Sequence, residues 1–470
     1  MQITLSVSNQ GSKLSQTHNI LCILLLLGDI VGLVLSLSLT FWTNWDKNLN
    51  TVDLFVNLLF CLLVITGLYL ADTYHPDNQI SGLRAPARIL ITNLVVGCIF
   101  FVILHIIENG EKLALWKWQI LLPSLGILTI WTICLRIWAA KWARSQAQNS
   151  RWLIVGANKE TIEFGKTFLQ HNSLGRLVIL ATPDQNTHKL ANNHRICVTN
   201  LYDLPQWTQQ AWSGVVVATP TELSDIQVQQ LMQLRLAGVP IYGIPDICEN
   251  LWYKLPSSLL QDNWLVFSSG YHLTSSSISQ KIKRVTDIIL ASLLFLGLFP
   301  LMLLTALAIK LDSPGSFFYS QVRTGLKGQT FRVYKFRSMY QDAEKRGVQW
   351  ANEDDPRITR VGRWLRLLRI DELPQIFNVL SGEMSLIGPR PERPEFDIKL
   401  RQEIPYYDLR YIVKPGITGW AQVMYPYGAS VEDAYEKLAY DLYYIKNYSQ
   451  FLDLAIAFKT IRVVLLGKGR

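Results

Sequence analysis

The chain has 470 residues, 49% apolar and 17% charged, with a formal net charge of +9; at roughly 100–200 residues per domain this excludes a small module and predicts two to four units. Soluble domains carry about a quarter charged residues, so the shortfall, with a mean hydropathy of +0.17, points to lipid contact. The charge is uneven, since residues 281–470 hold 28 Lys+Arg against 20 Asp+Glu, which is +8 of the +9. Cys22, Cys61, Cys98, Cys134, Cys197 and Cys248 stand singly with no CxxC spacing, which argues against a disulfide framework or a zinc site.

Four apolar stretches come first, at about residues 20–40, 52–70, 89–107 and 119–139, each near the ~20 residues a spanning helix needs. The first is too long for a cleaved signal peptide and is expected to stay attached. Lys13, Arg84, Arg88, Lys141, Arg144 and Arg151 flank one side of the spans, against Lys47, Lys112 and Lys117 on the other. That bias places both ends of the module on the cytoplasmic side. Trp42, Trp45, Trp116, Trp118, Trp138 and Trp142 stand where aromatic belts are expected.

From Arg151 short β-rich runs (152–155, 177–180, 215–218, 239–244) alternate with helical ones (161–170, 224–236), the pattern of a small α/β sheet of Rossmann type. The first turn, Gly156-Ala157-Asn158-Lys159-Glu160-Thr161, keeps only the first glycine of GxGxxG. Side chains at Asn158 and Thr161 stand where a pyrophosphate needs close backbone approach. A degenerate domain for spacing or regulation is therefore expected rather than a dinucleotide site. A serine-rich stretch, 272–279, closes it. The expected parts are 1–145, a transmembrane module; 146–270, the α/β domain; and 271–470, a third unit.

The third unit opens with Lys281, Lys283 and Arg284 before an apolar run, 285–309, interrupted by Pro300. As a straight helix the run is long enough to cross the bilayer. Lys310, Arg323 and a basic domain beyond it argue that it does not, and Phe299-Pro300 is read as the apex of a re-entrant hairpin. Next comes a β-hairpin, 317–339, turning at Gly325–Gly328 and carrying Arg323, Arg332, Lys335 and Arg337 among aromatics. It is either a solvated strand face or a phosphate cradle, and spacing does not decide. Arg357, Arg360, Arg363, Arg366 and Arg369 recur every third residue, so on a helix they spiral and cannot all face one ligand.

The series ends at Asp371-Glu372. Such a pair can supply a nucleophile toward phosphorus and hold Mg²⁺, or merely complement a helix N-terminus. Downstream, Gly388-Pro389-Arg390-Pro391 fixes an arginine between two prolines, a rigid way to present a forked guanidinium to phosphate. The stretch 451–466 is apolar apart from Asp453, Lys459, Thr460 and Arg462; it lies either in the headgroup layer or on the domain core.

These residues resemble the monotopic phosphoglycosyl transferases, the bacterial sugar transferase family. The resemblance runs through Lys283-Arg284-Val285-Thr286-Asp287, 310–315, Tyr334-Lys335-Phe336-Arg337-Ser338-Met339, Asp371-Glu372-Leu373-Pro374-Gln375, 388–391 and 414–423. The N-terminal parts look like those of its large subclass. The implied fold is a four-helix transmembrane bundle, an α/β Rossmann-like domain and a mainly α catalytic domain with a re-entrant helix and a short β-hairpin. The implied activity moves hexose 1-phosphate from a UDP-hexose to polyprenyl phosphate, releasing UMP, as the first membrane step of exopolysaccharide, capsule or O-antigen synthesis.

By the same resemblance Asp371 is the nucleophile, Glu372 assists with Mg²⁺ or proton handling, and Arg366 and Arg390 hold phosphates. Asp371 and Glu372 are the candidate metal ligands, and Lys335 and Arg337 further candidate phosphate contacts. The implied location is the bacterial plasma membrane, multi-pass, with the catalytic part on the cytoplasmic face, and a homodimer is implied. Phe299 stands where the family commonly has serine, and 424–428 replaces a basic segment of many members, so the sugar- or base-reading part is expected to differ. A membrane-bound NAD-dependent nucleotide-sugar dehydratase or epimerase would need an intact glycine loop and a Tyr-x-x-x-Lys pair, and the chain has neither. An inactive scaffold would not need the carboxylate pair or Arg390, and no nucleic-acid-binding motif is present.

Overall fold

The structure, a computed structural model, describes residues 13–42, 51–71, 73–74, 84–107, 118–156, 161, 164–165, 167–168, 176–181, 196–218, 223–260, 262–270, 277–341, 355–425, 428 and 430–465. Trp45, Trp116, the turn 157–160, most of the serine-rich stretch and residues 426–427 lie outside the described residues. The chain divides into two compact units, Met1–Ile244 and Pro245–Arg470.

The first unit begins with four helices, Lys13–Trp42, Thr51–Leu70, Arg84–Ile107 and Trp118–Asn149. Three carry stretches long and apolar enough to cross a membrane, Leu21–Leu39, Pro86–Ile103 and Pro123–Trp142, and the other has a shorter apolar run, Phe55–Leu70. Leu33, Val56, Phe60, Val64, Ile89, Phe100 and Leu128 meet inside. Ile23, Phe55, Leu58, Ile91 and Ile130 face outward, an arrangement suited to lipid. The first and last helices approach closely at Gly32, where a Cβ would fall 2.2 Å from the Trp131 ring. Small residues allow this in membrane bundles.

The sequence does not announce the ion pair these helices enclose. Arg136 and Asp29, 2% and 0% exposed, are joined by both branches of the guanidinium. Tyr74 donates to Asp29 at 2.7 Å, and Arg136 donates to Thr73 at 3.3 Å. The chain just after the second helix is thereby tied to the first and fourth.

The α/β part is a five-stranded parallel sheet in the order β3-β2-β1-β4-β5: β1 Arg151–Val155, β2 Arg176–Ala181, β3 Ile196–Asn200, β4 Gly214–Val217 and β5 Ile241–Gly243. The near-continuous apolar runs of β1, β2 and β4 are what strands covered on both faces require. β3 goes unrecognised in the sequence because it is an edge strand with only Ile196 buried. Gly156 ends β1 at φ 90°, a conformation that favours glycine.

The second unit claims more chain than expected. Residues 245–270 pack on it rather than ending the α/β part: Leu255 and Leu260 join Leu400, Ile404 and Tyr407, while Glu249 and Lys254 pair with Lys446 and Glu436. Their partners lie far along the chain, so local pattern does not show the allegiance.

The helix Ser277–Asp312 runs on both sides of Pro300 without an intervening loop. A straight helix of this length would measure about 54 Å; its stretch Ile278–Asp312 is long and apolar enough to cross a membrane, and both halves contact the same unit. Before the proline, Arg284 donates to the Val379 and Leu380 carbonyls, and Asp287 accepts from Ser385 Oγ and Leu386 N. After it, Met302 and Ile309 pack with Phe336 and Leu365, and Asp312 accepts from Val361 N. Leu293, Leu296, Leu303, Leu304 and Leu307 on the other side are exposed.

The expected hairpin is present, β6 Phe318–Thr324 antiparallel to β7 Thr330–Phe336. Short parallel strands β8 Ser385–Ile387 and β9 Gly416–Thr418 follow. The last helix, Gln450–Leu465, buries Ile456 against the unit, whereas Phe451, Leu454, Phe458 and Ile461 are exposed.

Removing one member of a buried ion pair leaves an uncompensated charge and typically costs about 3–5 kcal/mol. Arg136→Leu is therefore expected to lower stability by that order, and Arg136→Leu with Asp29→Leu to recover most of it. Thermal unfolding of the full chain in detergent checks this; equal losses in the single and paired variants would remove the pair's role.

Candidate active site

Asp371 and Glu372 lie in a tight 3₁₀ segment, Ile370–Gln375, and are 8% and 7% exposed. Two features place them. The helix Arg360–Leu367, capped by Thr359 accepting from Gly362 N, stops at Leu368, and Arg369 takes a left-handed conformation at φ 57°. That turn breaks the arginine spiral and sends Arg369 back toward the carboxylates. Beyond the pair, buried Asn378 accepts from Tyr334 N and donates to the Arg332 carbonyl, which fastens β7 against the helix Ile376–Ser381. Lys335 is thus delivered from β7 to the same place.

The two carboxylates are treated differently. Glu372 Oε1 accepts from Lys335 at 3.1 Å, Arg369 at 3.4 Å and Arg390 at 2.6 Å, and Oε2 accepts from Arg390 at 3.2 Å. Burial alone would raise the Glu372 carboxyl, but Arg390 and Lys335 outweigh it and hold the group well below the usual range. Asp371 Oδ1 is buried and accepts no hydrogen bond. Burial, then the Glu372 charge, pushes Asp371 up to about 6, opposed by Lys335, Arg369 and Arg366. Burial also lowers the Lys335 ammonium from its ordinary value.

Of the residues the sequence singles out, Asp371, Glu372, Lys335 and Arg390 meet here, and Arg366, half-buried on its helix, is close enough to act on the Asp371 charge. Arg337 does not join them. It is 7% exposed and donates to the Ser313 and Pro314 carbonyls and to Ser313 Oγ, closing off the end of the long helix. Pro300 lies within that helix. Arg369, absent from the candidates, is the addition; only the left-handed turn after the helix reveals it, because even spacing makes it look like any other member of its series. Other members go elsewhere, Arg357 to Asp355 and Arg360 and Arg363 to the exposed face.

Arg390 keeps 31% of its side chain exposed, so the site combines a buried carboxylate that lacks a partner with a partly open arginine. A carboxylate of this kind is suited to attack the phosphorus of an anionic phosphate group, because the surrounding cations offset the like-charge repulsion.

The chain belongs to the bacterial sugar transferase family, which it matches over residues 278–467. It is 33% identical over 391 residues to the UDP-glucose:undecaprenyl-phosphate glucose-1-phosphate transferase of Escherichia coli (strain K12), covering 81% of this chain and 82% of that one. It is 46% identical over 279 residues to the UDP-N-acetylgalactosamine-undecaprenyl-phosphate N-acetylgalactosaminephosphotransferase of Aeromonas hydrophila, 59% of this chain and 64% of the other. With the undecaprenyl-phosphate glucose phosphotransferase of Komagataeibacter xylinus it shares 47% over 264 residues, 53% and 48% of the two chains.

A carboxyl raised on folding makes stability fall with rising pH, because the native state binds the proton more tightly than the unfolded chain. For Asp371 the window runs from its ordinary value, 3.8, to about 6. In metal-free buffer the wild type should lose stability relative to Asp371→Asn across that window, by on the order of 2–3 kcal/mol. Parallel pH–stability curves for the two proteins would contradict it.

Proposed function

We propose that this protein transfers hexose 1-phosphate from a UDP-sugar to a polyprenyl phosphate, releasing UMP, at the cytoplasmic face of a bacterial plasma membrane. The observation that carries the reading is the asymmetry of the carboxylate pair, with Glu372 clamped by Lys335, Arg369 and Arg390 and Asp371 left without a hydrogen-bond partner on Oδ1. The family membership and the substrates in the relatives' names support it.

In the first half-reaction an Asp371 oxygen bonds to the donor's β-phosphorus as the bond from that phosphorus to the bridging oxygen breaks, and UMP leaves with the bridging oxygen. In the second, a polyprenyl phosphate oxygen attacks the same phosphorus, the acyl phosphate bond breaks, and Asp371 is regenerated. Glu372 anchors the cations; Arg390, Arg366 and Lys335 meet the phosphates. Magnesium suits this donor set, since it binds through one or two carboxylates plus substrate phosphates and the orphaned Asp371 oxygen is a hard ligand beside Glu372. Held by Asp371 and Glu372, it would offset diphosphate charge.

Placement follows from solubility: the polyprenyl chain dissolves only in lipid and the nucleotide sugar only in water, so reaction occurs at the interface. The long helix enters one leaflet and returns around Phe299–Pro300, supported by its exposed apolar side and by contacts of both halves with one unit. The exposed face of Gln450–Leu465 lies in the headgroup layer. The strand order β3-β2-β1-β4-β5 supports a Rossmann-like reading of the α/β part, and the single glycine of its first turn a role without a nucleotide.

Membranes carrying the full chain, given Mg²⁺, undecaprenyl phosphate and either UDP-glucose or UDP-N-acetylgalactosamine, are expected to release UMP. Asp371→Asn should reduce release by at least about 10³-fold while leaving the protein inserted. UDP as the nucleotide product, or substantial UMP from the variant, would overturn the mechanism. A cysteine replacing Lys310 is expected to react with an impermeant thiol reagent only from the side that Lys281→Cys does. Labelling from opposite sides would make the helix a span.

A further inference from the structure

We infer that Arg410 is a positioning residue for the transfer reaction, a buried arginine that fixes the backbone of the Gly388–Pro391 loop so that Arg390 is aimed at the carboxylates and phosphates. The inference rests on the transferase reading above. Arg390 stands between Pro389 and Pro391, and proline has no backbone donor, so this stretch is gripped through its carbonyls. Three successive carbonyls are taken. That of Pro389 accepts from Gly416 N at 2.9 Å, that of Arg390 from Arg410 at 2.8 Å and that of Pro391 from Arg323 at 3.2 Å. The middle contact bears directly on the residue whose side chain meets Glu372.

Arg410 is itself held firmly. Its side chain is 7% exposed, the branch that donates to the Arg390 carbonyl also donates to Asp441 at 3.1 Å, and the other donates to Tyr407 Oη at 2.6 Å. The guanidinium lies 5.1 Å from the Tyr407 ring and 5.8 Å from that of Tyr411, and both hydroxyls donate to Asp397. A planar fork can serve the Tyr407 hydroxyl with one branch and the Arg390 carbonyl and Asp441 carboxylate with the other, which an ammonium cannot do with the same geometry. Arg410 Nε and Asp397 Oδ2 are buried without a hydrogen-bond partner, so keeping the cluster in place costs free energy. Among the described residues, its link toward the carboxylate site is the carbonyl of Arg390.

A merely structural defect lowers the amount of active protein and so the apparent kcat, leaving the donor KM unchanged. A displaced Arg390 weakens donor binding and raises KM. The test uses the full chain in membranes with undecaprenyl phosphate and the more active of UDP-glucose and UDP-N-acetylgalactosamine, with UMP as readout. Arg410→Gln combined with Asp441→Asn removes both charges and avoids an unpaired one. It is expected to raise the donor KM about tenfold, with less than about a twofold further rise when added to Arg390→Ala. Arg410→Lys, which keeps a cation for Asp441, is expected to raise KM to a similar degree. An unchanged KM in these variants, or an equal rise in the Arg390→Ala background, overturns the positioning role. No UMP from the wild type with either donor overturns the transferase reading and this role with it.

Discussion

The catalytic unit is organised around one electrostatic problem, the burial of two adjacent carboxylates in a site that must also admit anionic substrates. Two like charges in a low-dielectric pocket cannot both ionise at ordinary pH without cations beside them. Here Lys335, Arg369 and Arg390 converge on Glu372, so one acid is ionised and spent on holding the cations in place. The other, Asp371, keeps an oxygen unengaged. Adjacent acids whose surroundings drive their pKa values apart are suited to different tasks.

Each cation comes from a different local device. A strand fastened by Asn378 brings Lys335, a left-handed turn after a capped helix brings Arg369, and a loop bracketed by prolines brings Arg390. The long helix is anchored to the same region through Arg284, Asp287 and Asp312. Apolar surface and polar site therefore belong to one compact unit, which suits a reaction between a lipid and a water-soluble nucleotide.

Legibility in the sequence follows how local the determining physics is. The carboxylate pair, Arg390 and the β-hairpin are readable because each sits in a short motif whose geometry is set by its neighbours. Lys335 and Arg337 look equivalent, two residues apart on one strand in the same basic and aromatic context. Yet one meets Glu372 and the other caps the carbonyls of Ser313 and Pro314. Only packing separates them. Asp29 and Arg136 are invisible for a related reason, since each is a lone charge in an apolar run and their pairing depends on which helices touch. The allegiance of residues 245–270 likewise depends on Leu400, Ile404 and Tyr407, far away in the chain.

Taking both carboxylates as ionised, Asp371 and Glu372 bring two negative charges, and Lys335, Arg366, Arg369 and Arg390 bring four positive ones. An incoming phosphate thus meets attraction even though it approaches an anionic pair. Arg390, partly exposed and bonded to Glu372 through both branches, is the cation best placed to shift its hydrogen bonds from Glu372 to a phosphate oxygen. Such an exchange replaces one charge-assisted bond by another, so little free energy is lost on binding. Glu372 would still retain Lys335 and Arg369, and its carboxylate would not be stranded. On the proposed two-step transfer, the same exchange would run again when a second phosphate arrives, so that a single arginine frame would serve donor and acceptor in turn.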